Sequence, residues 1–568
     1  MAPTPTETLL DRLDEARKRF DSGAGGTVER LVRALARRRF IDPESLIRFH
    51  EMLLFLRAYP QSSRVLQQVD EILQRFKNRV DSVRKYSADI IAFDYIENSG
   101  IAGTAVTGNF SFGIVRWLSG RYPACTSITW DEQVKGDRLG RTLHRFMPLL
   151  YEDSLVEANI PYAEWLAQLA NTPQRELAWL MTQLDRLDLT ERAKAELYDS
   201  LELKVRWELD DLPSSRTHLR RPVRKVFYHQ GDLIRRSDVS LGRELNAGHV
   251  RFARLSRARG QDAIDMLREA TTVRYRELYG ITNGDPSRVL HTSVGRGVEI
   301  FLWGLAPEKR LPLRAYHAGF TLKNGVPINY IEGISLFDRV EVGFNMFYTF
   351  RDGESAWIYA QVLRALTQVT GATCVSIDPY QLGHNNDEAI ESGAFWFYRK
   401  LGFRPTVSKL AELTEREEIR IAKAPGYLTP AHVLRRLAVG NVVYEAPGVT
   451  PSGYWDGFHI RNIGFAIQRR MASRCGGDAR RFRDHSRQTV SRALGLDASG
   501  FGANIQEAFD NLALVLALIP DLGRWTTDQK RLLLDIIHAK AGADEAEYLR
   551  LMQQHILLRE AIRKIAVS

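Results

Sequence analysis

The spacing of apolar and polar residues predicts that the chain begins with helices. In the segment RVLQQVDEILQRFKNRV, apolar residues recur at three- and four-residue steps, and these are Val65, Val69, Ile72, Leu73 and Phe76. Such spacing places them on one face of a helix, and the surrounding pattern extends this prediction to residues 5 to about 95. Glycines and small residues interrupt the pattern at 99–120, where we expect a loop or a short β segment.

The pattern changes to that of a mixed α/β segment at about residue 248. Helical spacing from about 130 to 210 and a basic connector at 214–236 precede this change. A strand (249–257) and an amphipathic helix ending at Gly280 then lead into β-type runs at 297–305, 315–323, 326–337 and 340–350. Asn324-Gly325 joins two of these runs directly and predicts a β-hairpin.

Beyond residue 350, helices and strands alternate before the chain becomes helical again. The predicted elements are a helix at 356–369, a strand at 372–378, a helix at about 386–400 and a strand beginning at GFRP. From 407 the pattern is mostly helical, with a Gly/Pro-rich patch at 440–464. We therefore predict an α+β fold with four regions: a helical N-terminal region (1–95), a mostly helical middle region with the connector (96–247), a mixed-sheet domain (248–406) and a mainly helical C-terminal region (407–568).

Composition narrows the class of protein. A chain of 568 residues is long enough for two to four domains. Lysine and arginine number 79 against 69 aspartate and glutamate, a net charge of +10 that we interpret as a generally basic surface. The three cysteines form no CxxC pair, the N-terminus lacks the layout of a signal peptide, and the longest apolar run, 512–519, is too short to span a membrane. We expect a cytoplasmic protein without a metal site or membrane association.

The segment ESGAFWFYRKLGFRP (391–405) carries the most specific signal in the chain. It resembles the helix-to-strand signature of the GNAT acetyltransferase superfamily, Asn-x-x-Ala-x-x-Phe-Tyr-x-Lys-x-Gly-Phe. The matching residues are Ala394, Phe397, Tyr398, Lys400, Gly402 and Phe403, while Glu391 replaces the asparagine. The resemblance covers about 248–406. It implies a GNAT-like sheet domain that uses acetyl-CoA or another acyl-CoA as co-substrate, with Tyr398 as the general acid toward the departing thiolate.

The resemblance also implies a cofactor loop between the central strand and the helix that follows it. The superfamily pattern is Gln/Arg-x-x-Gly-x-Gly/Ala, in which N–H groups at a helix N-terminus bind a pyrophosphate. In the segment RDGESA (351–356), Gly353 comes one position early and Glu354 occupies a glycine position. Asp352 and Glu354 are therefore expected to weaken phosphate binding by Coulomb repulsion. The residues that the resemblance assigns to acyl-CoA are Phe347, Tyr348 and Thr349 beside the parting strands, and Arg351, Gly353, Ser355 and Ala356 around the phosphates.

Acidic residues on the central strands are the candidates for a general base. The resemblance points to Glu332 and Glu341, because a carboxylate near the parting strands can take the proton of an attacking amine directly or through water. Either residue can instead be a solvent-facing position of an alternating strand. His317 is a third candidate, although a lone histidine on a strand is more often structural.

Two other functions are compatible with the sequence. P-loop, dinucleotide-binding, zincin and serine-hydrolase motifs do not occur, and HNND (384–387) is interpreted as a turn and helix cap. Basic segments with interleaved aromatic residues, at 37–40, 216–236 and 480–487, leave nucleic-acid binding as a less favoured alternative. A non-catalytic GNAT-like scaffold that binds a protein partner through the helical regions is the other alternative. The favoured prediction is an acyl-CoA-dependent N-acyltransferase acting on an amine that the sequence does not identify.

Overall fold

The computed structural model describes residues 4–21, 23–86, 91–95, 98–130, 138–147, 162–168 and 173–567. The N-terminal region is a group of packed helices, as the apolar spacing predicts. The helices are α1 (Pro5–Ala16), α2 (Ala24–Ala36), α3 (Pro43–Ala58), α4 (Ser63–Gln74) and α5 (Phe76–Arg84). Side-chain caps fix several helix starts: Thr4 and Glu7 form a reciprocal capping box at α1, and Asp42 caps α3.

The middle region contains a small antiparallel sheet among helices. Its elements are β1 (Ala105–Gly108), α6 (Phe112–Arg121), β2 (Thr126–Ile128), α7 (Gly140–Leu143), α8 (Tyr162–Ala167), α9 (Pro173–Arg186), α10 (Glu191–Asp199), β3 (Val205–Glu208) and α11 (Leu241–Leu245). The strand order is β1–β3–β2, with β3 antiparallel to both neighbours. The glycine-interrupted segment at 99–120 therefore contains both a short strand and a helix.

A nine-stranded mixed sheet forms the centre of the molecule, which confirms the α+β class. Its elements are β4 (Ala253–Arg254), α12 (Arg257–Thr272), α13 (Tyr279–Thr282), β5 (Leu290–Gly295), β6 (Val298–Gly304), β7 (Ala315–Lys323), β8 (Val326–Leu336), β9 (Arg339–Met346), α14 (Ser355–Thr370), β10 (Cys374–Ile377), α15 (Pro379–Leu382), α16 (Asp387–Glu391), α17 (Ala394–Arg399) and β11 (Arg404–Pro405). The hairpin at Asn324-Gly325 is confirmed, because both residues have positive φ and connect β7 to β8.

The sheet extends beyond the predicted range 248–406. The C-terminal region consists of α18 (Ser408–Lys423), α19 (Ala431–Leu437), β12 (Val442–Glu445), α20 (Ile460–Cys475), α21 (Ala479–Leu494), α22 (Ala503–Leu516), α23 (Thr527–Ala541), α24 (Glu545–Gln554) and α25 (Ile556–Val567). Strand β12 lies between β10 and β11, so the order is β11–β12–β10–β9–β8–β7–β6–β5–β4. This corrects the predicted boundary at 406: four strand residues inside a Gly/Pro-rich patch are too short for a clear alternating pattern.

The helical regions pack directly on the sheet. Residues of the N-terminal helices and residues of β6 to β10 and β12 belong to one continuous hydrophobic core. The C-terminal helices form a second core together with residues of the sheet. These residues are Ala315 at the start of β7, Phe337 after the end of β8, Cys374 at the start of β10, and Val443 on β12. No helix among the described residues is long and apolar enough to cross a membrane.

Candidate functional site

Strands β9 and β10 separate in the middle of the sheet. They are the parallel pair of the sheet, and their paired residues are Arg339 with Cys374, Val340 with Val375 and Glu341 with Ser376. Strand β9 continues to Met346, whereas β10 ends at Ile377 and the chain turns into α15. The Asp378 carboxylate caps that turn by accepting a hydrogen bond from the Tyr380 N–H. The second half of β9 is therefore left without a strand partner on this side.

A cleft of about 250 Å³ occupies the fork between the two strands. Its volume is just below the range of about 300–1,000 Å³ that is usual for small-molecule sites. Strand β9, the start of α14 and the segment from α15 to α17 form its walls. The lining residues are Phe344, Asn345, Met346, Arg351, Ser355, Gln381, Asn386, Glu388, Ala389, Ser392, Ala394, Phe397 and Tyr398.

Tyr398 lies on the wall of this cleft and is 4% exposed. Its ring packs edge-on against Tyr359 and Phe403. Among the described residues, its hydroxyl has no hydrogen-bond partner. Burial raises the pKa of the Tyr398 phenol, so that it carries its proton at neutral pH. A protonated phenol without a partner can donate a hydrogen bond or a proton, but the Tyr398 hydroxyl is itself closed to solvent, so a ligand in the cleft reaches it only if the cleft wall moves.

The local sequence explains how Tyr398 reaches this position. The predicted continuous helix at 386–400 is interrupted, because Gly393 adopts a left-handed conformation between α16 and α17. After this interruption, Phe395 and Tyr398 form the buried face of α17. Ala394 and Phe397 are half-buried and line the cleft. Gly402 has φ of 100° and ends the segment before β11, which requires a residue without a side chain.

Arg351 and Ser355 bring polar groups to the cleft from the start of α14. The Ser355 hydroxyl donates to the Arg351 carbonyl, and the Arg351 guanidinium pairs with Glu388 on the opposite wall. Arg276 holds the same carboxylate at 3.1 Å. Burial alone would raise the pKa of Glu388, but the hydrogen bond from Arg351 and the charge of Arg276 hold it below its ordinary value. The cleft therefore contains a carboxylate clamped between two guanidinium groups.

The other residues assigned to the cofactor loop do not line the cleft. A side chain at Gly353 would lie 2.5 Å from the hydroxyl of Tyr59 in the N-terminal region, and Ala356 is buried. Thr349 points in the same direction, because its hydroxyl donates to Glu51 on α3.

The two aromatic residues before Thr349 also do not line the cleft. The Phe347 ring is covered by the Arg274 guanidinium at 4.0 Å, and its N–H donates to the Ile328 carbonyl. Tyr348 is 68% exposed. Helices of the N-terminal region thus cover one side of the loop, while Arg351 and Ser355 face the cleft.

The negative charges of the loop are neutralised by other parts of the chain. The Asp352 carboxylate pairs with Arg17 at 2.7 Å and with Lys18 at 3.0 Å. Glu354 is fully buried and pairs with Lys323 at 3.2 Å and with Arg296. The expected Coulomb repulsion of a phosphate by these two carboxylates is therefore largely cancelled.

Glu332 lies beside the cleft without lining it. On β9, the residue opposite Glu332 is Gly343. The position of a Cβ at Gly343 is 3.9 Å from a Glu332 carboxylate oxygen and 3.7 Å from the amide nitrogen of Gln381, which lines the cleft. Burial raises the pKa of Glu332, and a hydrogen bond donated by the Tyr316 hydroxyl only partly offsets this. A raised pKa brings the carboxylate closer to the range in which a general base works at neutral pH.

The other two candidates for a base are engaged elsewhere. Arg339 donates to the Glu341 carboxylate at 3.3 Å, and Arg314 lies 3.7 Å from it. His317 is buried on β7, where α24 also packs, and burial lowers the pKa of its imidazole. Neither residue lines the cleft.

No sequence motif marks Glu388, Arg276 or Gln381 as functional residues. They lie on separate elements, outside any motif, so only the folded chain brings them together. The segment HNND (384–387) was predicted to form a turn and a helix cap. Within it, the Asn386 side chain accepts from the Ala389 N–H, and Asn386 also lines the cleft.

Comparison with known proteins gives no relative: no protein-family model, curated protein or solved structure matches this chain. Within the described ranges, no group of three or more histidine, cysteine, aspartate or glutamate side chains is arranged to hold a metal ion. The geometry of the fork is therefore the basis for a functional assignment.

Proposed function

We propose that the chain is a GNAT-like, acyl-CoA-dependent N-acyltransferase. One observation carries this proposal: β9 and β10 separate after Glu341 and Ser376, and the buried, unpartnered hydroxyl of Tyr398 belongs to a residue on the cleft wall. The sequence match at 394–403 assigns this tyrosine the role of general acid. The cleft would take the acyl-bearing arm of the CoA, such as that of acetyl-CoA, while an amine approaches the thioester.

Phosphate binding would use the start of α14. The first N–H groups of a helix have no acceptor within it, and the helix dipole favours negative charge there. Arg351 adds a guanidinium on the cleft side. Binding of an anionic ligand would require Arg351 and Arg276 to exchange Glu388 for a phosphate, a partner that arginine holds at least as well.

The chemical step needs one proton acceptor and one proton donor. Glu332 would take the amine proton, directly or through water, while the nitrogen forms its bond to the thioester carbonyl carbon. The carbon–sulfur bond then breaks, and Tyr398 would give its proton to the leaving sulfur. Positioning of the reactants in the fork would supply much of the rate enhancement.

A non-catalytic scaffold is the second candidate function, and one arrangement favours it. Glu388 occupies the cleft as an anion, and helices of the N-terminal region cover Thr349 and Gly353. In that function the fold binds a protein partner through its helical regions. Nucleic-acid binding and a cytoplasmic location stay predictions from composition.

Release of free thiol from acetyl-CoA, measured with the full chain and a panel of primary amines, tests the enzyme proposal. The expected result is amine-dependent thiol release that saturates with acetyl-CoA. Absence of release with short, medium and long acyl-CoAs, together with unchanged thermal stability in their presence, would favour the scaffold.

A further inference from the structure

Helices α20 and α21 of the C-terminal region carry most of the positive charge of the protein. The segment 460–494, which contains both helices, has nine arginines, no lysine, two aspartates and no glutamate. Nine positive and two negative charges give this segment a net charge of +7, out of the +10 of the whole chain. Such a concentration of one charge attracts an anionic partner.

The exposed faces of the two helices point away from the core of the C-terminal region. Ile463 on α20 and Val490 on α21 belong to the same hydrophobic core, and the two helices pack against each other. Phe482 is buried as well. The apolar sides of both helices are therefore covered, and their exposed faces together form what we call the arginine surface.

Most arginines of this segment have no partner within the chain. Arg487 pairs with Asp484 and lies 3.6 Å from Asp510. The other eight form no ion pair with a carboxylate of the described residues. Arg480 and Arg481 also stand in the first turn of α21, where the helix dipole already places positive charge. A bound anion would relieve this repulsion between like charges.

An exposed aromatic ring lies between two of the arginines on α20. Arg461, Phe465 and Arg469 follow one another at four-residue steps, which places them in one row along the helix, about 6 Å apart in the axial direction. Phe465 is 56% exposed. Residues 460–494 are described throughout, and no other large apolar side chain of this segment is as exposed. The row thus offers guanidinium groups on both sides of a free ring face.

We propose that the arginine surface binds single-stranded nucleic acid. Planar guanidinium groups bind phosphates through two parallel hydrogen bonds, and an exposed ring stacks on an unpaired base whatever its identity. A duplex, an acidic protein or an anionic membrane supplies charge but no unpaired base for Phe465. The two helices also lack the free apolar side with which amphipathic helices enter a membrane.

This binding would be a separate property of the chain and does not rest on the transferase function. None of the residues of the arginine surface lines the cleft at the fork. Because phosphates and base faces are common to RNA and DNA, we expect single strands of both to bind with similar affinity.

Fluorescence anisotropy of labelled RNA and DNA strands of about 20 nucleotides, titrated with the full chain over a salt series, tests the proposal. The logarithm of the association constant should fall linearly with the logarithm of the salt concentration, with a slope of about −3.5 for about five neutralised phosphates. The triple variant R469Q/R481Q/R483Q should weaken binding about tenfold or more. It should also reduce the slope by about 2, because each lost phosphate contact removes about 0.7.

Two further sets of variants separate the arginine surface from general charge and from general apolar contact. R12Q/R416Q/R436Q removes the same charge from exposed arginines on α1, α18 and α19, and it should leave the affinity within about twofold. Phe465→Ala should weaken binding about fivefold or more, the usual contribution of one stacked base, whereas Phe465→Tyr keeps a ring and should stay within about twofold of the wild type.

A duplex of the same sequence and vesicles of anionic lipid complete the experiment. Both should bind more weakly than the single strands, and Phe465→Ala should leave the duplex affinity unchanged, because a duplex has no unpaired base to stack on the ring. The proposal is overturned if no strand binds at the lowest salt concentration, if the duplex or the vesicles bind as tightly as the strands, if R12Q/R416Q/R436Q loses as much affinity as R469Q/R481Q/R483Q, or if Phe465→Ala binds the strands like the wild type.

Discussion

Glu341 and Ser376 form the last residue pair between β9 and β10, and the two strands separate beyond it. The main chain of β9 from Val342 to Met346 has no strand partner on that side. Unpaired strand backbone is normally protected or used for binding. The cleft that borders it is lined in part by apolar side chains and in part by Arg351, Glu388 and the buried Tyr398. This arrangement suits an extended ligand that carries amides and an anionic end.

The role of the Tyr398 hydroxyl as a general acid can be tested with the neighbouring Tyr359 as a control. Tyr359 is also buried, and its hydroxyl likewise has no hydrogen-bond partner among the described residues, but it does not line the cleft. Tyr398→Phe should reduce turnover about 100-fold or more, the usual contribution of a general acid. Tyr359→Phe should leave turnover nearly unchanged.

Both substitutions should leave the free energy of unfolding within about 1 kcal/mol of the wild type, because neither hydroxyl makes a hydrogen bond. Amine-dependent thiol release and urea unfolding measure the two effects. Equal turnover of Tyr398→Phe and wild type would exclude Tyr398 as the proton donor.

Glu388 is expected to compete with the phosphates of the ligand. Its carboxylate occupies Arg351 and Arg276, so Glu388→Gln should free both guanidinium groups and remove a negative charge from the cleft. Affinity for acetyl-CoA should then rise about fivefold, which corresponds to about 1 kcal/mol.

Asp387→Asn is the matched control, because this exposed neighbour pairs with Arg435 and does not line the cleft. It should leave the acetyl-CoA affinity unchanged in calorimetric titration. Weaker binding by Glu388→Gln would instead show that Glu388 holds Arg351 in its binding position.

Glu354 stabilises the fold despite its place in the phosphate-loop pattern. It is fully buried between Lys323 and Arg296, and its carboxylate also accepts from the Ile234 N–H. Glu354→Gln should lower the free energy of unfolding by about 3 kcal/mol, because it leaves the Lys323 ammonium buried without its partner charge.

The exposed Glu391 supplies the control for this change, since Glu391→Gln should shift stability by no more than about 0.5 kcal/mol. Urea unfolding measures both values. Higher acetyl-CoA affinity in Glu354→Gln at unchanged stability would mean that this carboxylate repels the ligand and does not stabilise the loop.

The pH dependence of the reaction should follow the ionisation of the Glu332 carboxylate. A base must be ionised, so kcat/KM should fall as the pH drops below the pKa of Glu332, which burial raises. The Tyr316 hydroxyl donates to this carboxylate and stabilises its charged form. Tyr316→Phe should therefore raise the pKa further and move the acidic limb of the profile to higher pH.

Glu332→Gln should remove that limb and reduce the rate. A profile that is identical in wild type and Tyr316→Phe would assign the limb to another group. Steady-state thiol release across a pH series makes the comparison.

Local sequence patterns predict those parts of the fold that local interactions determine. The N-terminal helices, the hairpin at Asn324-Gly325 and the alternation of helices and strands after residue 350 follow from apolar spacing, turn residues and caps. Strand β12 and the break at Gly393 were not predicted. Four strand residues give no periodicity, and a left-handed glycine within an apolar helical pattern is not visible in that pattern.

Among the predicted site residues that line the cleft, each stands in a short sequence motif. Tyr398 and Arg351 stand in motifs and line the cleft, whereas Gly353, Thr349 and Ala356 stand in the same loop and face other parts of the chain. The positions of Thr349 and Gly353 depend on the packing of α3 and the following Tyr59 on the loop. Contacts between residues about 300 positions apart, such as that of Glu51 with Thr349, leave no local signal in the sequence.

Calorimetric titration of the full chain with acetyl-CoA tests the central claim most directly. If the fork binds an acyl-CoA, the wild type should show saturable binding with a stoichiometry of one. Arg351→Gln should weaken this binding about tenfold, the value of one charge-assisted contact to phosphate, while Tyr398→Phe should retain it. No binding of acetyl-CoA or of longer acyl-CoAs by the wild type, or equal binding by Arg351→Gln, would contradict the assignment of the fork as the acyl-CoA site.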